Sequence, residues 1–213
     1  MAARTGAAFV SFTVTENIFN IIVRVTDNSS PPLSDAKTFS VTVNETNAAP
    51  VLAAIANRTV HAGSSVVVSN SATDSDIPAS VLTFSLDPGA PPAASINSTN
   101  GIFNWTTANA DAGSASPITI RVTDNGVPPK SDTKNFTITV VAPPGVQEIT
   151  ASGGTVTFSW NAIPGRMYRV QYKSSLADAN WIDLPDVTAE GSSASFQETL
   201  VASQRFYRIL ALD

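Results

Sequence analysis

The sequence contains no cysteine, a single histidine and few charged residues, and each shortage excludes a class of function. Without cysteine the chain has no disulfides, thiolate zinc sites or thiol nucleophiles. Charged residues make up 14 % of the chain, against roughly 25 % in an ordinary globular domain. The net charge of −5 argues against nucleic acid as a partner. No apolar stretch approaches the roughly 18 residues of a membrane helix, so we expect no membrane insertion.

The chain is rich in a two-residue alternation of β-branched or aromatic residues with polar ones. The segment "NIIVRVTD" places Ile21, Val23 and Val25 on one side, and "KTFSVTVN" does the same with Phe39 and Val41. This period is typical of half-buried antiparallel strands. The intervening "DNSSPPLSDA" is a turn cluster, because its prolines do not fit a central strand. We therefore predict an all-β fold.

One phrase occurs twice, as "VRVTDNSSPPLSDAKTFSVTV" from Val23 and as "IRVTDNGVPPKSDTKNFTITV" from Ile120, 97 positions later. The spacing indicates an internal repeat with the period of a domain. The second copy belongs to a complete unit, whereas the first lacks its front half. We expect residues 1–46 to expose an apolar face and strand edges, which favours a strand-swapped or edge-paired dimer. We also expect the chain to be the C-terminal part of a larger array.

The complete unit contains short strands separated by turn signals, which is typical of an antiparallel sandwich. Its predicted strands are Val51–Ile55, Ser64–Ser71, Val81–Leu86, Ile102–Thr106, Ile118–Thr123 and Asn135–Val141. Its predicted core consists of Val66, Val68, Leu82, Phe84, Leu86, Trp105, Ile118, Ile120, Val122, Phe136, Ile138 and Val140. After "VVAPPGV" a second core is predicted from Trp160, Tyr168, Val170, Tyr172, Trp181, Phe196, Phe206 and Ile209.

The complete unit resembles the cadherin-like, dystroglycan-type repeats of bacterial surface proteins, also described as immunoglobulin-like domains. The residues that carry the resemblance are "NAAPVLAAIANRTVHAG", "SATDSDIPASVLTFSLDPGAPPAASINSTNGIFNWTT" and "IRVTDNGVPPKSD". The last part is similar to a fibronectin type III module through "FSW", "YRVQYKSS", "WIDLP" and "FYRI". The resemblance implies tandem immunoglobulin-like antiparallel β-sandwiches: the end of a truncated cadherin-like repeat (1–46), a complete one (47–142) and a fibronectin type III-like module (145–213).

Acidic and amide side chains collect at one predicted end of the complete unit. Asp74 and Asp76 in "TDSD" point to the same side of an extended segment. Asp124 ends a later strand, and the preceding linker "NETNAAP" adds Asn44 and Asn47. Calcium takes six to eight oxygen ligands of these kinds.

Resemblance to cadherin repeats implies a calcium site here, because Asp74, Asp76 and Asp124 match the ligand positions and Asn47 and Asn44 match loosely. The chain departs from the pattern, since its linker has asparagines in place of aspartates and "GIFNWTT" lacks an acidic motif. Fewer charges predict weak binding, towards the millimolar range of extracellular modules. The alternative is a hydrogen-bonded aspartate cluster that caps turns without metal. Asp27 repeats Asp124, but its partners lie in the missing half, so we expect no metal there.

The resemblance implies a non-enzymatic array for structure, spacing or adhesion, located outside the cell or on its surface, although this chain shows no export signal. The expected partner is a protein or polysaccharide on a cell surface or matrix. The lone His61 lies beside a turn glycine with no nucleophile motif, so we interpret it as an exposed structural residue and expect no enzyme.

An alternative function is a carbohydrate-binding accessory module of a secreted polysaccharide-active protein. An exposed row of aromatic side chains on one sheet would favour it. The candidate residues for such a face are Arg166, Arg169, Arg205, Arg208, Tyr168, Tyr172 and Trp181. The ordinary interpretation of these arginines is the outer surface of a sandwich.

Overall fold

A computed structural model of the chain describes residues 7–15, 18–43, 46–199 and 204–212. These residues form strands, turns and one 3-10 helix, Asn109–Asp111, which confirms the all-β prediction. Among the described residues, no helix has the length and apolar character needed to cross a membrane. The contacts divide the chain into two compact units. One is Met1–Val51, Ala72–Thr83 and Val122–Asp132, and the other is Leu52–Ser71, Phe84–Arg121 and Thr133–Asp213.

The first unit contains an antiparallel three-stranded sheet. Its strands, in spatial order, are β1 (Ala7–Thr15), β2 (Ile18–Thr26) and β3 (Ser34–Thr42). The register places Phe39 opposite Ile21 and Val41 opposite Phe19. Directly opposed residues share a face, so one face of the β2–β3 pair is apolar except for Asp35 and Lys37. On the other face the Ser40 hydroxyl donates to Asn20 Oδ1 at 2.6 Å.

The complete repeat consists of nine strands and the 3-10 helix. The strands are β4 (Val51–Leu52), β5 (Arg58–His61), β6 (Ser65–Ser69), β7 (Ala72–Thr73), β8 (Thr83–Leu86), β9 (Ser95–Ile96), β10 (Ile102–Thr106), β11 (Ala115–Thr123) and β12 (Ser131–Val141). They form one sheet in the order β6–β10–β9, another in the order β5–β12–β11–β8, and the short pair β4–β7. The sequence did not predict β5, which pairs in parallel with β12. A four-residue strand is too short to show a clear alternation of apolar and polar residues.

The core of the complete repeat is filled by the inward residues of its sheets. Phe103 and Phe136 meet edge to face, with ring centroids 5.6 Å apart. Phe103 is missing from the predicted core although it shares a face with Trp105, and it is fully buried. Among the predicted core residues, Leu82 and Leu86 are only half-buried. The others are buried: Val66, Val68, Phe84, Trp105, Ile118, Ile120, Val122, Phe136, Ile138 and Val140.

The remaining strands of the second unit form a further pair of sheets. The strands are β13 (Val146–Ser152), β14 (Thr155–Asn161), β15 (Met167–Lys173), β16 (Ile182–Asp183), β17 (Val187–Thr188), β18 (Ser193–Thr199) and β19 (Phe206–Ala211). One sheet has the order β13–β14–β18, and in the other β15 pairs with β16, β17 and β19. Phe158, Trp160, Tyr168 and Val170 are buried between them. Tyr172, Trp181, Phe196, Phe206 and Ile209, also predicted as core, are half-buried.

Gly101 occupies a position that admits no side chain, which gives a test of the packing. Its φ is +68°, and a Cβ atom would lie 2.9 Å from the Asn70 carbonyl oxygen and 3.1 Å from the Phe84 ring. We expect Gly101→Ala to destabilise the protein by at least about 2 kcal/mol, from backbone strain plus overpacking. Urea unfolding measures this loss.

Gly113 provides the matched control, because its φ is +85° but a Cβ atom there would have no neighbour within 4 Å. Gly113→Ala should cost only the strain, about 1 kcal/mol. Equal losses for the two variants would contradict the packing described around Gly101.

Candidate functional site

The repeated aspartate organises the Pro-Pro loop in both copies of the repeat. In the first copy, Asp27 Oδ1 accepts from the Leu33 amide at 3.0 Å and from the Ser29 amide at 3.1 Å. In the second, Asp124 Oδ1 accepts from the Lys130 amide at 2.9 Å and from the Gly126 amide at 3.0 Å. A backbone bond closes each loop, from the Asp27 amide to Leu33 and from the Asp124 amide to Lys130. The aspartate therefore recurs because the loop needs its carboxylate as an acceptor.

These hydrogen bonds favour the ionised form of both carboxylates. The Ser29 hydroxyl and the Leu33 amide hold the pKa of Asp27 below its usual value. Burial opposes ionisation of Asp124, yet the amides of Lys130 and Gly126, the Asn47 side chain and the Lys130 charge together leave the pKa of Asp124 lowered as well. In both aspartates Oδ1 thus acts as the acceptor that holds the loop.

Asn47, from the linker, is brought to Asp124 as the sequence predicts. Its amide nitrogen lies 3.3 Å from both carboxylate oxygens of Asp124 and donates to the Pro128 carbonyl at 2.7 Å. The Lys130 ammonium donates to the Asn47 carbonyl. Gly126 allows this approach, because a Cβ there would lie 2.1 Å from Asn47 Oδ1. The side-chain amide of Asn47 therefore donates the hydrogen bonds that attach the linker to the loop.

Asp74 and Asp76 form a second, adjoining arrangement. The Asp76 amide donates to Asp74 Oδ1 at 3.0 Å, and Asp76 Oδ1 accepts from the Ala48 amide at 2.9 Å. A cavity of about 290 Å³ is lined in part by Asn47, Asp76, Ser80, Asn125 and Gly126. Asn125 supports its wall by accepting from the Val81 amide at 2.7 Å.

The fit of this region to calcium is mixed. Asp74 Oδ2 and Asn47 Oδ1 are buried and accept no hydrogen bond, so two oxygens are available to a cation. Against this, Asp124 receives the amide nitrogen of Asn47, and no three acidic or histidine side chains converge as a metal-binding group within the described residues. Asn44 lies outside the described residues. The structure thus joins Asn47 to Asp124 and Asp76 to Asp74.

The predicted sugar-binding residues are engaged with other protein groups. Arg169 donates to Asp186 at 2.8 and 2.9 Å, and Arg208 stacks over Trp181 at 4.4 Å from the ring centroid. Arg205 pairs with Glu198 and lies 4.0 Å over the Tyr172 ring. Tyr168 is fully buried.

His61 is buried, with 3 % of its surface exposed, so the prediction of an exposed histidine is wrong. The local sequence does not indicate the burial of His61, because the residues that cover it come from the segment after the "VAPPGV" linker. The "WNAIPGRMY" stretch that supplies them reads as strand and turn.

Comparison with known proteins identifies the complete repeat. Residues 49–141 match the family model described as "Putative Ig domain". The match confirms the immunoglobulin-like resemblance of this segment. The fibronectin type III-like resemblance of residues 145–213 stays a prediction. No curated protein matches the sequence significantly.

Solved structures similar to the chain include several cadherin extracellular fragments. The extracellular domain of protocadherin gammaB4 is 19 % identical with a TM-score of 0.42, over 71 % of this chain and 29 % of that one. Human CDH23 EC21-23 is 18 % identical with a TM-score of 0.42, over 68 % and 58 %. Drosophila N-cadherin EC1-4 is 20 % identical with a TM-score of 0.38, over 58 % and 31 %. This chain therefore spans less than two thirds of each of these structures.

Replacement of Asp124 tests its role in the loop. We expect Asp124→Asn to lower the melting temperature at neutral pH, because an amide NH₂ in place of Oδ2 would face the Asn47 amide nitrogen and the bonds from Lys130 and Gly126 would lose their charged acceptor. Since folding lowers the pKa of Asp124, its stabilising contribution is present above the ordinary value of about 3.9 and is lost as the pH falls through the folded value. The difference between wild type and variant should shrink below about pH 4.

Thermal unfolding followed by circular dichroism from neutral to acid pH measures this difference. Asp35→Asn, measured in dilute solution, is the control, because Asp35 is exposed and its contacts are with its own strand, the exposed Lys37 at 3.6 Å and the Ala36 amide at 2.9 Å. A difference between wild type and Asp124→Asn that grows on acidification would contradict the assignment.

Proposed function

We propose that the chain is a non-enzymatic, extracellular array of β-sandwich modules that serves structure, spacing or adhesion. The observation that carries the proposal is the repeated immunoglobulin-like unit, whose polar side chains are used to hold loops and linkers. Asp27, Asp124 and Asn47 all bind backbone groups of their own unit. An array of such modules acts as a spacer, because it keeps an attached domain or binding surface at a set distance from the attachment point.

A weak calcium site at the linker of the complete repeat is part of this proposal. Asp74 Oδ2 and Asn47 Oδ1, both buried without a hydrogen-bond partner, support it, and Asp76 would add a second carboxylate. Asp124 and Asn44 complete the proposed ligand set. Bound calcium would neutralise the aspartates and tie the linker to the loop, which removes hinge freedom. The low number of charges predicts affinity towards the millimolar range.

Thermal unfolding with 10 mM calcium and with EDTA tests the metal. A ligand at 100 times its dissociation constant adds roughly 2.7 kcal/mol, so the melting temperature of wild type should rise with calcium. Asp74→Ala should abolish the rise, because it removes the unpartnered carboxylate oxygen.

Asp111→Ala is the matched control, since Asp111 caps the 3-10 helix by accepting from the Ala108 amide at 2.7 Å. That variant should keep the calcium response. No shift in wild type, or the same shift in Asp74→Ala, would leave the hydrogen-bonded aspartate cluster as the correct interpretation and would remove calcium from the account.

The carbohydrate-binding alternative is not supported by the tryptophans. Trp105 and Trp160 are buried at 3 % and 0 % exposure. Trp181 is half-buried, and its ring is contacted by Arg208 and by Lys173, at 4.4 and 5.1 Å from the centroid. A flat aromatic platform for sugar rings is thus not formed by these residues.

A second copy of the chain is the proposed partner of the first sheet. Val25, Phe39 and Val43 are 56, 50 and 50 % exposed, whereas their repeat equivalents Val122, Phe136 and Val140 are 0, 2 and 0 % exposed. The equivalents are covered because they belong to a complete sandwich. The same alternation in the first sheet therefore calls for a covering sheet, and a second copy supplies one with the same apolar face.

Exposure and charge both suit a symmetric pair. The apolar side chains of this face include Val23, Val25, Phe39, Val41 and Val43, which are 37 to 56 % exposed. Asp35 and Lys37 lie on this face and are 72 and 85 % exposed. In a two-fold dimer, Asp35 of one copy faces Lys37 of the other and the reverse, so the charges of the face are self-complementary.

Sedimentation velocity over a range of concentrations tests the dimer. We expect wild type to associate and Phe39→Asp to remain monomeric, because a buried unpaired charge opposes the contact. Thr38→Asp is the matched control on the opposite face of β3 and should still associate. A monomeric wild type, or a Phe39→Asp variant that still dimerises through a strand edge, would contradict face-to-face pairing.

A further inference from the structure

The linker between the two sandwiches of the second unit is held by side chains from both sides. Asn161, at the end of β14, donates from its amide nitrogen to the Ala142 and Pro143 carbonyls at 2.8 and 3.0 Å. Asn161 Oδ1 accepts from the Gly145 amide at 2.8 Å. The linker "VAPPGV" has no side-chain oxygen of its own, and the side-chain amide that binds it comes from β14.

His61, at the end of β5, joins the same linker to the second sandwich. Its Nδ1 lies 2.6 Å from the Ala142 carbonyl oxygen, and its Nε2 lies 2.8 Å from the Tyr168 hydroxyl. Tyr168 Oη also accepts from the Ile163 amide at 2.7 Å. Ala62, Ile163 and Tyr168 are buried around this contact, so the groups are shielded from water.

The partners favour the neutral imidazole. A carbonyl oxygen only accepts, so Nδ1 must carry a proton. Tyr168 Oη receives the Ile163 amide, and its own hydrogen finds an acceptor in Nε2 when Nε2 is unprotonated. The chain of donors runs from the Ile163 amide through Tyr168 to His61 and on to Ala142. Every member is satisfied when the imidazole is neutral.

A second proton on His61 would break this chain. Nε2 would become a donor facing Tyr168 Oη, and the Tyr168 hydrogen would lose its acceptor in a fully buried position. Tyr168 is held in its neutral form, since burial raises the pKa of its hydroxyl against the opposing effects of the Ile163 amide and Arg166. The linker faces the imidazole with the carbonyl group of Ala142.

We infer that His61 positions the two sandwiches of the second unit in a fixed joint that holds only while its imidazole is neutral. Histidine ordinarily changes charge between about pH 5 and 8, so mild acid should loosen the joint while each sandwich stays folded. This inference concerns one joint and stands whether or not the chain acts as a spacer.

Distance measurement between two nitroxide labels tests the joint, and the absence of cysteine makes labelling specific. Asn104→Cys in β10 and Gln197→Cys in β18 place one label on each sandwich at exposed positions. In wild type we expect one narrow distance distribution at about pH 7.5 and a broad one at about pH 5. Tyr168→Phe should be broad at both pH values, and Tyr207→Phe, which loses a hydroxyl elsewhere in the same sandwich, should behave as wild type.

His61→Gln distinguishes an effect of protonation of the imidazole from other effects of acid on the joint. The variant cannot gain a proton, so its distribution should not change between the two pH values. Circular dichroism of each labelled variant verifies that the sandwiches remain folded. A wild-type distribution that stays narrow in acid, an acid response retained by His61→Gln, or a narrow distribution in Tyr168→Phe would each overturn the inference.

Discussion

The burial of one face of every sheet is the constraint on which the rest of the structure depends. Two-residue alternation gives each strand an apolar and a polar side, and water drives the apolar sides together. In the complete repeat, Phe136 and Ile138 meet the opposing sheet and are almost fully buried. Their equivalents in the first sheet, Phe39 and Val41, have the same pattern and are 50 and 38 % exposed. The difference in burial between the two copies thus lies in what covers the face.

A second constraint governs the loops and linkers. Backbone N–H and C=O groups there lack the hydrogen-bond partners that a neighbouring strand supplies, and side chains bind them instead. Asp27 and Asp124 do this for the two Pro-Pro loops, Asn47 for the linker before the complete repeat, and Asn161 for the linker after it. A string of sandwiches whose linkers are held in this way can transmit position from one module to the next, which is what a spacing or adhesive array requires.

Much of the fold could be predicted because its determinants are local. The strand Ile102–Thr106 is found as predicted, since the alternation of Phe103 and Trp105 with polar residues needs no distant information. The proximity of Asn47 to Asp124 followed from the expected topology. The orientation of the Asn47 amide did not, because it depends on the Pro128 carbonyl across the loop. Burial of His61 could likewise not be predicted from the sequence, because its partner Tyr168 lies 107 positions away.

The central claim is that covering of the apolar face, rather than strand sequence, separates the first sheet from its repeat. Hydrogen–deuterium exchange resolved to peptides tests it directly, by comparing β2 and β3 with β11 and β12 in one sample. The account predicts faster exchange in β2 and β3 than in β11 and β12 in dilute solution. It also predicts that protection of β2 and β3 rises with protein concentration, while β11 and β12 stay unchanged. Equal protection of both copies in dilute solution would contradict it.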